Sequence, residues 1–158
     1  MGEVVSIHVA RKPHGVAESL ERVLVHANYG LTGDWRSHRD RSGQLTLIEA
    51  EALEDVARQL GQEIPAGASR RQVVVRGVAL NALLGRRLRL GPVLVSVEYP
   101  CDPCSQMERA IGRGAQAAME NRGGVRCHVL EGGELQVGDP VTEEVPQHSS
   151  VERAMPLP

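Results

Sequence analysis

The chain contains no phenylalanine, and its aromatic residues are Trp35, Tyr29 and Tyr99. Its core must come from Val, Leu, Ile and Ala, and it lacks the aromatic platforms on which single-stranded nucleic acids stack. A basic excess is missing too. The formal net charge is −2, which argues against general nucleic-acid binding. No apolar run approaches the roughly 18 residues of a membrane-spanning helix. The N-terminus has no basic stretch followed by an apolar one, so no secretory signal is expected. Cysteine occurs three times, an odd number that cannot close into a disulfide framework. Free thiols in a reducing cytoplasm are therefore expected. Lysine occurs once, at Lys12.

What is present describes a β-rich globular chain. Its 158 residues fit one domain, placed over residues 1–144, and the Pro-, Ser- and His-rich residues 145–158 read as a mobile tail. Val5, Ile7 and Val9 share one face of a first strand over 3–10. Val23 and Val25 mark a second over 21–27. Residues 44–48 form a short strand that runs into a helix, whose stripe Ile48, Ala52, Leu53, Val56, Ala57 and Leu60 ends at Gly61. The Val run of 70–77 belongs to a strand buried on both faces or set in a barrel wall. A helical turn over 80–85 precedes two strands, 86–90 and 93–98, joined at Gly91-Pro92. Residues 108–120 are helical with a break at Gly112 and Gly114. Val125, Cys127 and Val129 share the apolar face of another strand, opposite Arg126 and His128, so Cys127 reads as core. Gly132-Gly133 predicts a hairpin. Leu135 and Val137 continue it as a strand, and Gly138-Asp139-Pro140 turns again. Alternation of strand and helix is irregular. The fold class is thus mostly β with inserted helices: a curved, mostly antiparallel sheet or barrel carrying two or three helices.

The chemistry concentrates at Tyr99-Pro100-Cys101-Asp102-Pro103-Cys104. The two prolines stop the preceding strand, and Met107, Ala110 and Ile111 start a helical pattern. Cys104 therefore falls at or near a helix start, where unpaired N–H groups favour a thiolate. A Cys-x-x-Cys pair can be a packed turn, half of a zinc site, a thioredoxin-like redox motif, or a reactive thiolate or soft-metal ligand. Only Cys127 remains as a further thiol, and no His-x3–5-His follows, so a four-ligand zinc site lacks donors. Two other stretches are candidates. Gly30-Leu31-Thr32-Gly33-Asp34 is either a plain turn or a binding loop. The basic run after Trp35, with Arg36 and Arg39, is either a solvated loop or an anion clamp.

Taken together and in order, several stretches resemble the MOSC domain family, named for the C-terminal domain of molybdenum cofactor sulfurases. They are Gly30-Leu31-Thr32-Gly33-Asp34, Gln44-Leu45-Thr46-Leu47-Ile48 with Glu49, Arg70-Arg71-Gln72-Val73-Val74-Val75-Arg76-Gly77, and Leu80-Asn81-Ala82-Leu83-Leu84-Gly85. Residues 98–104 and 123–141 complete the set. The resemblance implies a MOSC-type β-barrel and a single functional cysteine at Cys104, similar to the molybdenum ligand of the amidoxime-reducing members and to the proposed sulfur carrier of others. It implies that Arg70 and Arg71 hold the phosphate of molybdopterin, with Gln72, Arg36, Arg39, Gly33 and Asp34 as further cofactor-binding candidates. Members often carry Asn where this chain has Gln72. The chain is similar to a stand-alone bacterial-type member.

Three functions follow as expectations. The first is a molybdenum-cofactor oxidoreductase that reduces N-hydroxylated compounds, a small-molecule substrate class. Its electrons would come from a separate redox partner, since no flavin or nicotinamide motif is present. The second is sulfur transfer through a Cys104 persulfide supplied by a sulfur-donor protein. The third is a non-catalytic cofactor carrier or interaction domain. Pyridoxal phosphate is not expected, because Lys12 lies in a loop rather than in the buried setting a Schiff-base lysine needs.

Overall fold

The computed structural model describes residues 1–38 and 43–145. In chain order the strands are β1 (Gly2–Ala10), β2 (Ala17–Leu20), β3 (Arg22–His26), β4 (Gly30–Leu31) and β5 (Leu45–Glu49). The helix α1 (Ala50–Leu60) leads into β6 (Val73–Arg76), a 3-10 turn (Leu80–Leu83), β7 (Arg87–Leu90) and β8 (Val93–Pro100). Two short helices, α2 (Ser105–Ile111) and α3 (Ala115–Ala118), precede β9 (Val125–Glu131), β10 (Gly133–Gln136) and β11 (Pro140–Glu144).

Seven of the described strands close on themselves in the order β11-β7-β8-β9-β5-β6-β1, with β1 pairing back onto β11 and β2 appended to β1. The fold is the expected β-barrel with inserted helices. One pairing departs from antiparallel: β5 and β6 run parallel, Leu47 beside Val73, with α1 as the crossover that parallel strands require. β10, β3 and β4 make a separate three-stranded sheet.

Period-two alternation explains the interior. Ile7, Val9, Leu45, Leu47, Val95, Val97, Val125, Cys127 and Val129 point into one buried cluster made without any aromatic ring. A second cluster lies on the outer face, where Met107 and Ile111 of α2, Val56 of α1, Ala115 and Met119 cover Ile48 and Val74. Each fully buried aliphatic side chain there contributes about 1.5–3 kcal/mol. Gly61, with its φ of 65°, ends α1 by donating to the carbonyls of Ala57 and Arg58.

Several expectations need correction. Gly132-Gly133 does not make a hairpin: β10 pairs with β3 and not with β9, so the chain there leaves the barrel for the small sheet. Arg70 and Arg71 precede β6 instead of lying in it. The helical stretch starts at Ser105, before the expected Glu108, and its break at Gly112 and Gly114 divides it into two helices as expected. β2 and β11 were not expected, because Ala17–Leu20 and Pro140–Glu144 lack an apolar alternation. Among the described residues no helix is long and apolar enough to cross a membrane. Of the expected tail, residues 146–158 lie outside the described residues.

Candidate functional site

The cysteine loop is held by two glycines. β8 ends at Pro100, and the Cys101 N–H donates to the Gly124 carbonyl at 2.8 Å. A Cβ at position 123 would strike the Cys101 carbonyl and Pro103, and one at 124 would strike the Leu47 carbonyl. Gly124 also has a φ of +96°, a conformation that side chains resist. The Gly-Gly pair therefore lets β9 start against both the cysteine loop and β5. Cys101 faces inward at 4% exposure, whereas Cys104 is exposed. Cys104 occupies the N-cap position of α2 with φ −131° and ψ 170°, and its carbonyl accepts from the Glu108 N–H at 3.1 Å. Cys127 lies wholly inside the barrel, where burial pushes its thiol far up in pKa and leaves it inert.

Arg71 ties this loop to its surroundings. Its Nε donates to the Gly123 carbonyl at 2.7 Å and its Nη2 to the Asp102 carbonyl at 2.9 Å, with longer contacts to the carbonyls of Cys101 and Ser69 at 3.4 Å. The side chain is buried, and none of these partners is a carboxylate. Burial lowers its pKa, and negative charge at Cys101 or Cys104 would act in the opposite sense.

Arg36 is fixed differently. The Asp34 carboxylate is fully buried and accepts from the Ala10 N–H at 3.0 Å, the Arg36 N–H at 2.8 Å, and the Arg36 guanidinium at 3.0 and 3.2 Å. This bidentate pair aims Arg36 at the Arg70 carbonyl, 2.5 Å away. The guanidinium also lies over the Trp35 ring at 5.8 Å. Arg70 has a φ of 64°, and among the described residues its guanidinium gives one hydrogen bond, to the Gly15 carbonyl at 2.8 Å. Burial and then the nearby Arg36 lower its pKa.

These side chains meet around a cavity of about 240 Å³ on the outer face of the barrel, beside the starts of β5, β6 and β9. Arg36, Arg70, Arg71 and Arg126 line it together with Cys101 and Cys104, and among the described residues no carboxylate does. Arg126 stands between Thr46 and Tyr99 on the neighbouring strands. Among the described residues its guanidinium makes no hydrogen bond or ion pair. Arg126 was missed as a site residue. The alternation of β9 places it on the outward face, but only tertiary pairing reveals what lies beside it. Trp35 and Gln106 also reach the cavity.

Of the sequence candidates, Cys104, Arg36, Arg70 and Arg71 come together. Asp34 acts from behind, through Arg36. Gln72 is fully buried and stands behind Thr46: its Oε1 accepts from the Thr46 N–H at 2.8 Å, and among the described residues its Nε2 has no partner. Gly33 is at an exposed turn with φ +82°, near Arg11 and away from the cavity lining. Arg39 lies outside the described residues. Glu49 accepts from the Leu80 N–H at 3.1 Å and does not line the cavity. Among the described residues, no three His, Cys, Asp or Glu side chains converge as a metal-ligand set, so a metal at this site would have to bring most of its own ligands. The cavity suits an anion, and it offers one exposed thiol to a soft centre.

Comparison with known proteins places the fold. The profile of the MOSC domain matches residues 34–142. No curated protein matches the chain in sequence. Among solved structures, the YUAD protein from Bacillus subtilis is similar over 89% of this chain and 94% of its own, at 17% identity and a TM-score of 0.78. YiiM from Geobacillus stearothermophilus is similar over 92% of this chain and 76% of its own, at 20% identity and a TM-score of 0.72. YiiM from Escherichia coli is similar over 99% of this chain and 80% of its own, at 18% identity and a TM-score of 0.65. At these identities the likeness is one of fold.

Proposed function

Because this chain belongs to the MOSC domain family, we propose that its arginine-lined cavity binds the molybdenum cofactor and reduces N-hydroxylated compounds with electrons from a separate donor protein. The observation that carries this reading is the lining itself: among the described residues every charged side chain in it is an arginine, and the exposed Cys104 thiol stands among them. That donor set fits the group. Molybdopterin carries a phosphate, which guanidinium groups hold well, and its dithiolene-bound metal is a soft centre suited to one thiolate.

Arg126 and Arg70 have donors to spare and would take the phosphate directly. Arg36, locked by Asp34, would add a fixed positive charge at the rim. Arg71 would hold the cysteine loop in place from beneath, and Gln72 would support Thr46 in the wall. Cys104 would supply the thiolate ligand. The cofactor, when bound, supplies the two-electron redox chemistry, while the protein positions it.

The test is metal analysis with fluorescence of the oxidised pterin, on wild type and Cys104→Ala made in a host that synthesises the cofactor. Molybdenum and pterin near one per chain in the wild type, with the metal lost in the variant, are expected. Wild-type protein with neither, or Cys104→Ser protein with full metal and full reductase activity, would overturn the reading.

A second reading has its own observation. Cys101 and Cys104 line the same cavity, which would suit a Cys104 persulfide in sulfur transfer. Incubation with a cysteine desulfurase should then add the mass of one sulfur to Cys104, and an unchanged intact mass removes this reading.

A further inference from the structure

The basic cavity does not end at Arg70. Arg70 and Gln106 also wall an adjoining groove of about 280 Å³, which His14, Arg109 and Ala110 complete. Gln106, Arg109 and Ala110 are spaced i, i+3, i+4 on α2 and so share one helix face. The opposite wall is the turn between β1 and β2. Arg70 ties that turn down through its hydrogen bond to the Gly15 carbonyl at 2.8 Å. Arg70 is therefore a partition with a hollow on either side.

Among the described residues five arginines line the two hollows together, and no carboxylate does. Yet the chain carries 20 acidic residues against 18 basic ones. Most exposed arginines elsewhere are matched: Arg11, Arg22, Arg58, Arg76, Arg86, Arg89 and Arg122 each face a carboxylate. The Arg109 guanidinium, like that of Arg126, has no hydrogen bond or ion pair among the described residues. One small anion held at Arg70 and Arg126 would leave Arg109 unneutralised on the far side of the partition.

We propose that the groove between His14 and Arg109 is a second anion subsite, which takes a further phosphoryl group of the ligand whose first phosphate lies at Arg70 and Arg126. The ligand class is then a diphosphate, either a nucleotide-extended form of the cofactor or a free nucleoside diphosphate. The inference rests on the cofactor reading only for the source of the first phosphate.

The test is isothermal titration of the full chain at low ionic strength with orthophosphate, pyrophosphate, tripolyphosphate and ADP. Arg109 is exposed, so its contribution is screened. The longer polyphosphates should bind about tenfold more tightly than orthophosphate, equivalent to about 1.4 kcal/mol. In Arg109→Ala they should bind no more tightly than orthophosphate, whereas Arg126→Ala should weaken every ligand in the series. Equal affinity for orthophosphate and the longer anions in the wild type, or an advantage that survives Arg109→Ala, overturns the second subsite. Loss of orthophosphate binding is a separate result, and it counts against the cofactor-phosphate reading. ADP binding more tightly than pyrophosphate assigns the subsite to a free nucleotide. Nucleoside monophosphate released by hydrolysis of co-purified pterin assigns it to an extended cofactor.

Discussion

Replacing Arg71 separates two roles that look alike on paper. Its guanidinium makes two good hydrogen bonds, to the carbonyls of Gly123 and Asp102, and two long ones. A hydrogen bond from a charged donor contributes about 1.5–3 kcal/mol. Against this stands the relief of releasing a buried cation that no carboxylate neutralises. Arg71→Met should therefore cost about 3 kcal/mol net. In a domain of this size that lowers Tm by roughly 6–12 °C. Arg71→Lys keeps the charge but not the fork that reaches two loops at once, and should lose about half as much. Thermal and urea unfolding, with phosphate titration on the same samples, give the answer. If Arg71→Met melts within about 2 °C of wild type yet loses phosphate affinity, then Arg71 is a ligand contact and the account of it as a clamp is wrong.

Other consequences can be checked with similar means. His8 is buried between Ser6 and Ser19, and burial lowers its pKa below 6.5. A folded pKa below the unfolded one means that the unfolded chain binds the extra proton first. Stability should thus be full above about pH 6.5 and fall as the pH drops below that, and His8→Gln should flatten the decline in urea titrations. Asp34→Asn removes the charge from a fully buried carboxylate paired with Arg36, and should cost about 3–4 kcal/mol by denaturant unfolding. Iodoacetamide on native protein should label Cys104 readily, Cys101 slowly and Cys127 only after unfolding, as read by peptide mass spectrometry. Rapid native labelling of Cys127 would contradict its place in the barrel.

Much of the barrel is legible in the sequence because a strand's inward face is a local pattern. Val93-x-Val95-x-Val97 announces itself without any knowledge of its partners. In β1 the expected face of Val5, Ile7 and Val9 is broken by a bulge between Val4 and Ser6, so Val4 joins Ile7 and Val9 inside while Val5 packs against the outer cluster. β2 and β11 carry no such alternation and exist because a neighbouring strand offers hydrogen bonds to them. The same limit explains the misread Gly132-Gly133: glycine marks a change of direction but not its destination. At the site, Pro-Cys followed by a helical pattern is enough to single out Cys104. Arg71 could be recognised as a nearby cation, but its partners are carbonyls from two loops far apart in sequence. Arg126 was visible only as an outward residue. Its neighbours Thr46 and Tyr99 become apparent when the sheet is assembled.

The seam between β1 and β11 bears on how the molecule is made. Only two register pairs, Gly2 with Val141 and Glu3 with Pro140, join these strands, with main-chain bonds between Val4 and residues 138–139 beside them. On a ribosome β1 emerges first and β11 last, so for most of synthesis the growing sheet is an unsealed ribbon. Its open edges are templates for pairing with other chains, and closure waits on contacts between opposite ends of the sequence, which form slowly. A nascent chain stalled before residue 140 should therefore be the species most dependent on chaperones.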